Sequence, residues 1–274
     1  MTRGLALDLD GTLLRPDDSI SDRDRAAVAA AIDAGWSVVL ATARWYQLAE
    51  RTAHQLGLAD PVIACSGAEV RRLRDGVDLL DVRLPAAFTA ELYALCDAHD
   101  GIVMVYEERD VAVRSATSTP RLPEMRTIET LHGADPTPRG ILVFGDEQGS
   151  FVLDRLRARW AGDVRFLVSM TGRGAGVLTI TGKGADKGRA LGIACADVGI
   201  DPADVVAFGD SETDVEMFRV AGASVAMGQA APVVRSAATW VTTPNTADGV
   251  GRAIEQLLVS GTLDDGSAPE ADRA

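Results

Sequence analysis

The chain is poor in the residues that build disulfides and soft-metal sites. It has three cysteines (Cys65, Cys96 and Cys195), far apart and with no C-x-x-C pair, and three histidines (His54, His99 and His132) with no close spacing. These counts argue against a disulfide framework, a zinc site or a histidine-built metal centre, and they fit a reducing compartment. Positive charge is also scarce. Lys and Arg number 27 against 40 Asp and Glu, for a net charge of −13. A surface of that sign repels a phosphate-rich polymer, so nucleic acid is not an expected partner. No uninterrupted apolar run reaches the roughly 18 residues of a membrane span, so no membrane association is expected. Met1-Thr2-Arg3-Gly4, with acidic residues close behind, does not read as a secretory leader. The expected location is cytoplasmic.

What is present is a folded-protein composition. Of the 274 residues, 47% are hydrophobic and 24% charged, enough to bury a sizeable core in one large domain or two modest ones. Leu5 to Leu9 reads as a short buried strand. Ser21 is placed to cap a helix over roughly Asp22 to Ala34, with Val28, Ala31 and Ile32 at helical spacing and Gly35 closing it. The continuous apolar run Ser37 to Ala41 predicts a strand covered on both faces. A helix from Trp45 to Leu56 and a strand at Val62 to Cys65 follow. This alternation predicts an α/β fold with a doubly wound parallel sheet.

The pattern then changes. Ala68 to Leu84 alternates around Asp75-Gly76 and reads as a hairpin. From Pro85 to about Gly182 the order is a helix (Ala86 to His99), a strand (Ile102 to Tyr106), an irregular stretch (Thr117 to Pro123) and a strand (Ile141 to Phe144). A helix (Gly149 to Trp160) and two strands (Val164 to Ser169 and Gly176 to Ile180) complete an inserted α+β module. Core-like alternation resumes with a helix from Lys187 to Val198. The expected organisation is a core of residues 1–84 and 183–260, an insert of 85–182, and an acidic, apolar-poor, disordered tail of 261–274.

Four short strings carry chemistry. Asp8-Leu9-Asp10-Gly11-Thr12 follows the first strand directly, so two carboxylates project into the crevice where open α/β sheets bind ligands. An Asp-Gly turn in solvent is the plain alternative, but three further strings follow in order. Thr42-Ala43-Arg44 ends the second strand, where a threonine could equally be a helix cap. Lys187, in Asp186-Lys187-Gly188, stands where the core pattern resumes; alone it would read as a surface lysine. Gly209-Asp210-Ser211-Glu212-Thr213-Asp214 follows another buried strand, and an acidic helix start would account for Asp214 alone.

Together these strings resemble the haloacid dehalogenase superfamily of phosphatases, in the Cof-type, class IIB branch with a large α/β cap, over most of the chain up to about Val259. The resemblance implies Asp8 as nucleophile and Asp10 as acid/base. It implies phosphate contacts from Leu9, Thr42, Ala43, Arg44 and Lys187. It implies Mg²⁺ held by Asp8, Asp10 (through its backbone carbonyl) and Asp210, with Ser211, Thr213 and Asp214 behind them. It further implies a small phosphorylated substrate, in particular a sugar phosphate; the oligomeric state stays open. Three positions depart from the family pattern: Ala43 for glycine, Ser66 for asparagine, and Thr213 for asparagine. Asn245 near the C-terminus also matches the family's ending and reads as a helix cap. Two other functions fit the same scaffold, a phosphomutase and a non-catalytic phosphate-binding protein. A receiver-like domain phosphorylated on Asp is the alternative fold, and the length and second α+β module argue against it.

Overall fold

The structure, a computed structural model, describes residues 3–99, 101–108, 110–114, 123–170 and 176–260. Its elements, in chain order, are β1 (Gly4–Leu7), α1 (Asp22–Asp33), β2 (Ser37–Ala41), α2 (Tyr46–Gln55), β3 (Val62–Ala64), β4 (Glu69–Arg71), β5 (Asp78–Asp81), α3 (Ala86–Asp97), β6 (Ile102–Tyr106), β7 (Val111–Arg114), β8 (Met125–Ile128), β9 (Gly140–Phe144), α4 (Asp146–Trp160), β10 (Val164–Met170), β11 (Gly176–Gly182), α5 (Lys187–Val198), β12 (Val205–Gly209), α6 (Val215–Phe218), β13 (Ala223–Ala226), α7 (Pro232–Ala237), β14 (Trp240–Val241) and α8 (Gly249–Ser260). The chain divides into two compact units, residues 1–80 with 186–274, and residues 81–185. The tail 261–274 and most of the Thr117 to Pro123 stretch lie outside the described residues.

The first unit carries an eight-stranded sheet in the order β14-β13-β12-β1-β2-β3-β4-β5. The six strands from β14 to β3 run parallel, and β4 turns back antiparallel against β3. Along β2, Val39 and Ala41 pack with Ala190, Leu191 and Ala194 of α5, whereas Val38 and Leu40 are buried outside that cluster. Both faces of the strand are therefore covered, which is why β2 has no polar alternation. Ser21 caps α1 by accepting the Asp24 N–H. The strand order reverses at β1: β2 and β3 lie to one side of it, β12 to β14 to the other. Ligands bind beyond the carboxyl ends of the strands at such a point.

The second unit is a six-stranded sheet, β10-β11-β9-β6-β7-β8, around a core that includes Phe88, Leu92, Val103, Ile141, Val152 and Ile180. The two strands β7 and β8 were not expected from the sequence. Each is four residues long, too short for a periodicity to show. Helix α4 begins at Asp146, three residues before the expected start. Gly145 turns the chain at φ 100°, and Asp146 and Glu147 supply the negative first turn a helix dipole favours.

The turn after β3 stores strain. Cys65, Ser66 and Gly67 have φ of 51°, 56° and 86°, three consecutive left-handed residues of which only the last is glycine. Gly67 must stay small, since a Cβ there would sit 2.5 Å from the carbonyl carbon of Asp186, next to the start of α5. Ser66 occupies the position where the family pattern has asparagine, a residue that enters the left-handed region more readily. Ser66→Gly is expected to stabilise the protein by about 0.5–1 kcal/mol. Gly67→Ala is expected to destabilise it by about 2 kcal/mol or more, by combining strain with overlap. Urea denaturation of the two variants checks the opposite signs.

Candidate active site

Three site residues stand one position past the ends of adjacent strands. Asp8 follows β1, Thr42 follows β2 and Asp210 follows β12, and β1 lies between the other two strands. The Asp8 N–H donates to the Phe208 carbonyl (3.1 Å) and the Thr42 N–H to the Ile63 carbonyl (2.9 Å), extending the ladders by one rung. Neighbouring strands lie about 4.8 Å apart, so the sheet spacing itself sets these side chains next to one another.

Lys187 enters from the first position of α5. Asp186 caps that helix by accepting the Arg189 N–H (2.7 Å), and Glu216 Oε2 accepts the Lys187 N–H (2.9 Å). The ammonium lies 2.8 Å from Asp8 Oδ1 and 2.7 Å from Asp214 Oδ1, with both carboxylates and the lysine buried. Burial works against the Lys187 charge, but Asp214 and Asp8 outweigh it and raise its proton affinity above the usual lysine value. Burial, and then the neighbouring Asp214, raise the Asp8 carboxyl well above its ordinary value, with Lys187 opposing.

Ligand oxygens of Asp8, Asp210 and Asp214 lie within 4.8 Å of one another. Their formal charge exceeds that of the one lysine among them. Asp210 shows the imbalance: burial first, then Asp214, push its carboxyl up to about 7. Such an oxygen-only, electron-rich pocket suits a small hard cation. Asp214 is the least available of the three. Its Oδ1 holds Lys187, and its Oδ2 accepts from the N–H groups of Asp210 (3.1 Å) and Ser211 (2.9 Å) and from Ser211 Oγ (2.7 Å). It shapes the pocket from behind Asp8 and Asp210. Gly11 makes room, since a Cβ at its φ of 80° would lie 2.1 Å from Asp210 Oδ2.

Asp10 is placed differently from Asp8. Its exposed carboxylate is gripped by Arg44, at 2.8 Å from Nε to Oδ2 and 2.5 Å from Nη2 to Oδ1, and does not join the acidic cluster. Arg44 Nη2 also donates to Asp18, so the guanidinium serves two carboxylates. Thr42 Oγ1 accepts the Arg44 N–H (3.1 Å). Ala43 is exposed and is not among the residues with positive φ, so its methyl in place of glycine brings no strain. Leu9 is fully buried, and its carbonyl accepts from the N–H groups of Thr12 (3.1 Å) and Leu14 (2.8 Å), folding the loop beneath Asp10. Thr213 shares a hydroxyl contact of 2.9 Å with Ser211.

Sequence reasoning missed Gln229, Glu216 and Asp18. Gln229 donates to the Gly11 carbonyl, hydrogen-bonds the Asp210 carboxylate, and accepts the Asn245 N–H at 3.2 Å. Asn245 makes no side-chain cap; its Nδ2 donates to the Leu14 carbonyl (2.7 Å). These two carboxamides tie the loop after β1 to those after β13 and β14. No local pattern marks Gln229, whereas the family-like ending had marked Asn245.

Replacing Lys187 by the apolar methionine leaves buried carboxylates without their cation. Lys187→Met is expected to cost about 3–5 kcal/mol of stability in the absence of divalent cations, read by chemical denaturation.

A family model of the haloacid dehalogenase-like hydrolases matches residues 5–254. A 5-amino-6-(5-phospho-D-ribitylamino)uracil phosphatase of Bacillus subtilis is 30% identical, the alignment covering 93% of this chain and 97% of that protein. A pyridoxal phosphate phosphatase of Escherichia coli is 27% identical, covering 94% and 99%. A solved sugar phosphatase of subclass IIB of this superfamily shares the fold with a TM-score of 0.77 at 22% identity, covering 93% and 99%. With a match that runs through every strand of the large sheet and through the loops that carry Asp8, Lys187 and Asp210, the chain belongs to the haloacid dehalogenase-like hydrolases, in their Cof-type branch, and is a phosphatase of that type.

Proposed function

We propose that the protein is a Mg²⁺-dependent phosphomonoesterase that works through a phosphorylated Asp8 and cleaves the phosphate of a sugar or sugar-alcohol. The observation that carries the reading is the buried triplet of Asp8, Lys187 and Asp214 beside Asp210. Asp8 Oδ1 is bound by the ammonium, and a ligand oxygen of Asp8 lies within 4.8 Å of those of Asp210 and Asp214. In the first step the Asp8 carboxylate oxygen bonds to phosphorus and the ester P–O bond breaks. The Asp10 carboxyl gives its proton to the leaving alkoxide. In the second step water attacks the same phosphorus, Asp10 takes its proton, and the Asp8–phosphorus bond breaks to release inorganic phosphate. Lys187 offsets negative charge on the phosphoryl oxygens from a dry, fixed position.

Asp8, Asp210 and the Asp10 carbonyl would hold Mg²⁺. Among the described residues that carbonyl accepts no backbone hydrogen bond, and the excess negative charge of the pocket fits a divalent cation. When bound, the ion screens the anionic nucleophile from the anionic phosphate. The substrate class is supported by the curated relatives, whose named substrates carry phosphate on a ribityl chain or on a pyridoxal.

Phosphate release from a panel of phosphorylated sugars, sugar-alcohols and heterocyclic alcohols with Mg²⁺ tests the reading. Asp8→Asn is expected to lower kcat by about three orders of magnitude or more. It is also expected to abolish transfer of labelled phosphate to the protein. An isomeric ester in place of free phosphate would identify a mutase.

The acidic pocket also predicts a pH-dependent metal effect. The folded-state value of Asp210, about 7, lies above its ordinary 3.8, so the folded protein binds more protons than the unfolded chain between the two. Without metal, this group's contribution to stability therefore falls as pH rises from about 4 through about 7. Mg²⁺ competes with that proton, so the rise in Tm on adding it should be larger at pH 8 than at pH 5, as thermal denaturation would show.

A further inference from the structure

We infer that Asp18 is a positioning residue for the acid/base carboxyl, acting through Arg44. The inference rests on the reading of Asp10 as acid/base and goes beyond it, since it takes Arg44 away from the substrate.

Arg44 is anchored at both ends. Its N–H donates to Thr42 Oγ1 (3.1 Å) and its carbonyl accepts the Cys65 N–H (2.8 Å). Its guanidinium meets Asp10 with two parallel bonds, 2.8 Å and 2.5 Å, and extends Nη2 to Asp18. A fork of this kind fixes the plane of a carboxylate as well as its distance. On its own, a long arginine chain would lose rotamer freedom in holding an exposed partner, and such pairs contribute little. Asp18 changes that by holding the same guanidinium from a separate turn further along the connection between β1 and α1.

The loop carrying Asp18 is built for this. The Asp18 N–H donates to the Arg15 carbonyl and the Arg15 N–H to the Ser19 carbonyl, both at 2.9 Å. Asp17 Oδ1 accepts from the Ser19 N–H (3.1 Å) and hydroxyl (2.5 Å). Arg15 is tied to Asp248 at 2.7 Å. Within this closed turn Asp18 takes a φ of 64°, a conformation few non-glycine residues adopt, and its carboxylate is delivered to Arg44. With two carboxylates on one guanidinium, Arg44 has no net positive charge to offer a phosphate. Its role is geometric: it sets the plane and place of the Asp10 group, which holds the fork as a carboxylate and, when it carries the proton for a leaving oxygen, keeps its free lone pairs on the guanidinium.

The test is Asp18→Asn, which keeps the size of the side chain and tolerates the left-handed turn, measured on two esters of different leaving group. A phosphorylated primary alcohol needs its oxygen protonated as it leaves; 4-nitrophenyl phosphate does not. Because general acid catalysis contributes about 10²–10⁴-fold, loosening the acid should lower kcat/KM for the alkyl ester by about tenfold. The nitrophenyl ester should change less than about twofold, at unchanged Tm. Arg44→Lys, which keeps the charge and loses the fork, should reproduce the same selective loss. An equal loss on both esters, or a rise in KM alone, would assign Arg44 to substrate binding and overturn the inference, as would no loss on either. A second readout needs no turnover. The Arg44 Nε–H resonance in ¹⁵N-arginine-labelled protein, identified by its absence in Arg44→Lys, should lose exchange protection in both Asp18→Asn and Asp10→Asn. Unchanged protection in Asp18→Asn sinks the link. If the wild type turns over neither ester, the phosphatase reading of the site fails, and the resonance alone decides whether the contact holds.

Discussion

One ammonium held between two buried carboxylates is the interaction on which the rest of the core depends. Lys187 brings together Asp8 from the loop after β1 and Asp214 from the start of α6. Three charges removed from water are costly, and mutual attraction repays that cost only when the geometry is tight and the remaining oxygens are bonded. Asp214 meets the condition with three donors on its second oxygen. Asp8 does not, because Lys187 is its one side-chain hydrogen-bond donor among the described residues, and burial raises its carboxyl well above the ordinary value. That shortfall is the chemical opportunity. A carboxylate with one oxygen neutralised and the other underbonded, beside a second acid pushed up to about 7, is prepared for a cation and an electrophile.

The sheet makes this arrangement repeatable. Parallel strands end together at one edge, and their order reverses at β1, the kind of point where open α/β sheets bind ligands. The loops that follow β1, β13 and β14 are tied to one another through Gln229 and Asn245, and Asp8, Thr42 and Asp210, one position past their strands, are fixed by strand register and not by loop packing alone. Strain concentrates at the same edge, in the left-handed turn Cys65 to Gly67 and in Asp18. Both turns place a side chain or backbone where an unstrained chain would not.

The global charge and the local site have different functions. A net charge of −13 sets a negative field over the molecule as a whole. Within the site, sign is set pair by pair. Lys187 is committed to two acids, and Arg44 to two others. No free positive patch is needed if a divalent cation accompanies the phosphate.

The sequence by itself determined the alternation of strands and helices, and hence the doubly wound sheet, because a buried parallel strand must be apolar on both faces and Ser37 to Ala41 is. It also marked Asp8, Thr42 and Asp210, since a polar residue just past such a strand has only the crevice to enter. The strands β7 and β8 escaped notice because four residues carry too little pattern. Only the tertiary structure decided who holds whom. Asp10 and Asp8 are two positions apart, yet one is gripped by Arg44 at the surface and the other by Lys187 in the interior. Asp18, Gln229 and Glu216 look in sequence like ordinary turn and helix-start residues. Their partners lie many positions away, and a distance set by folding leaves no trace in local spacing.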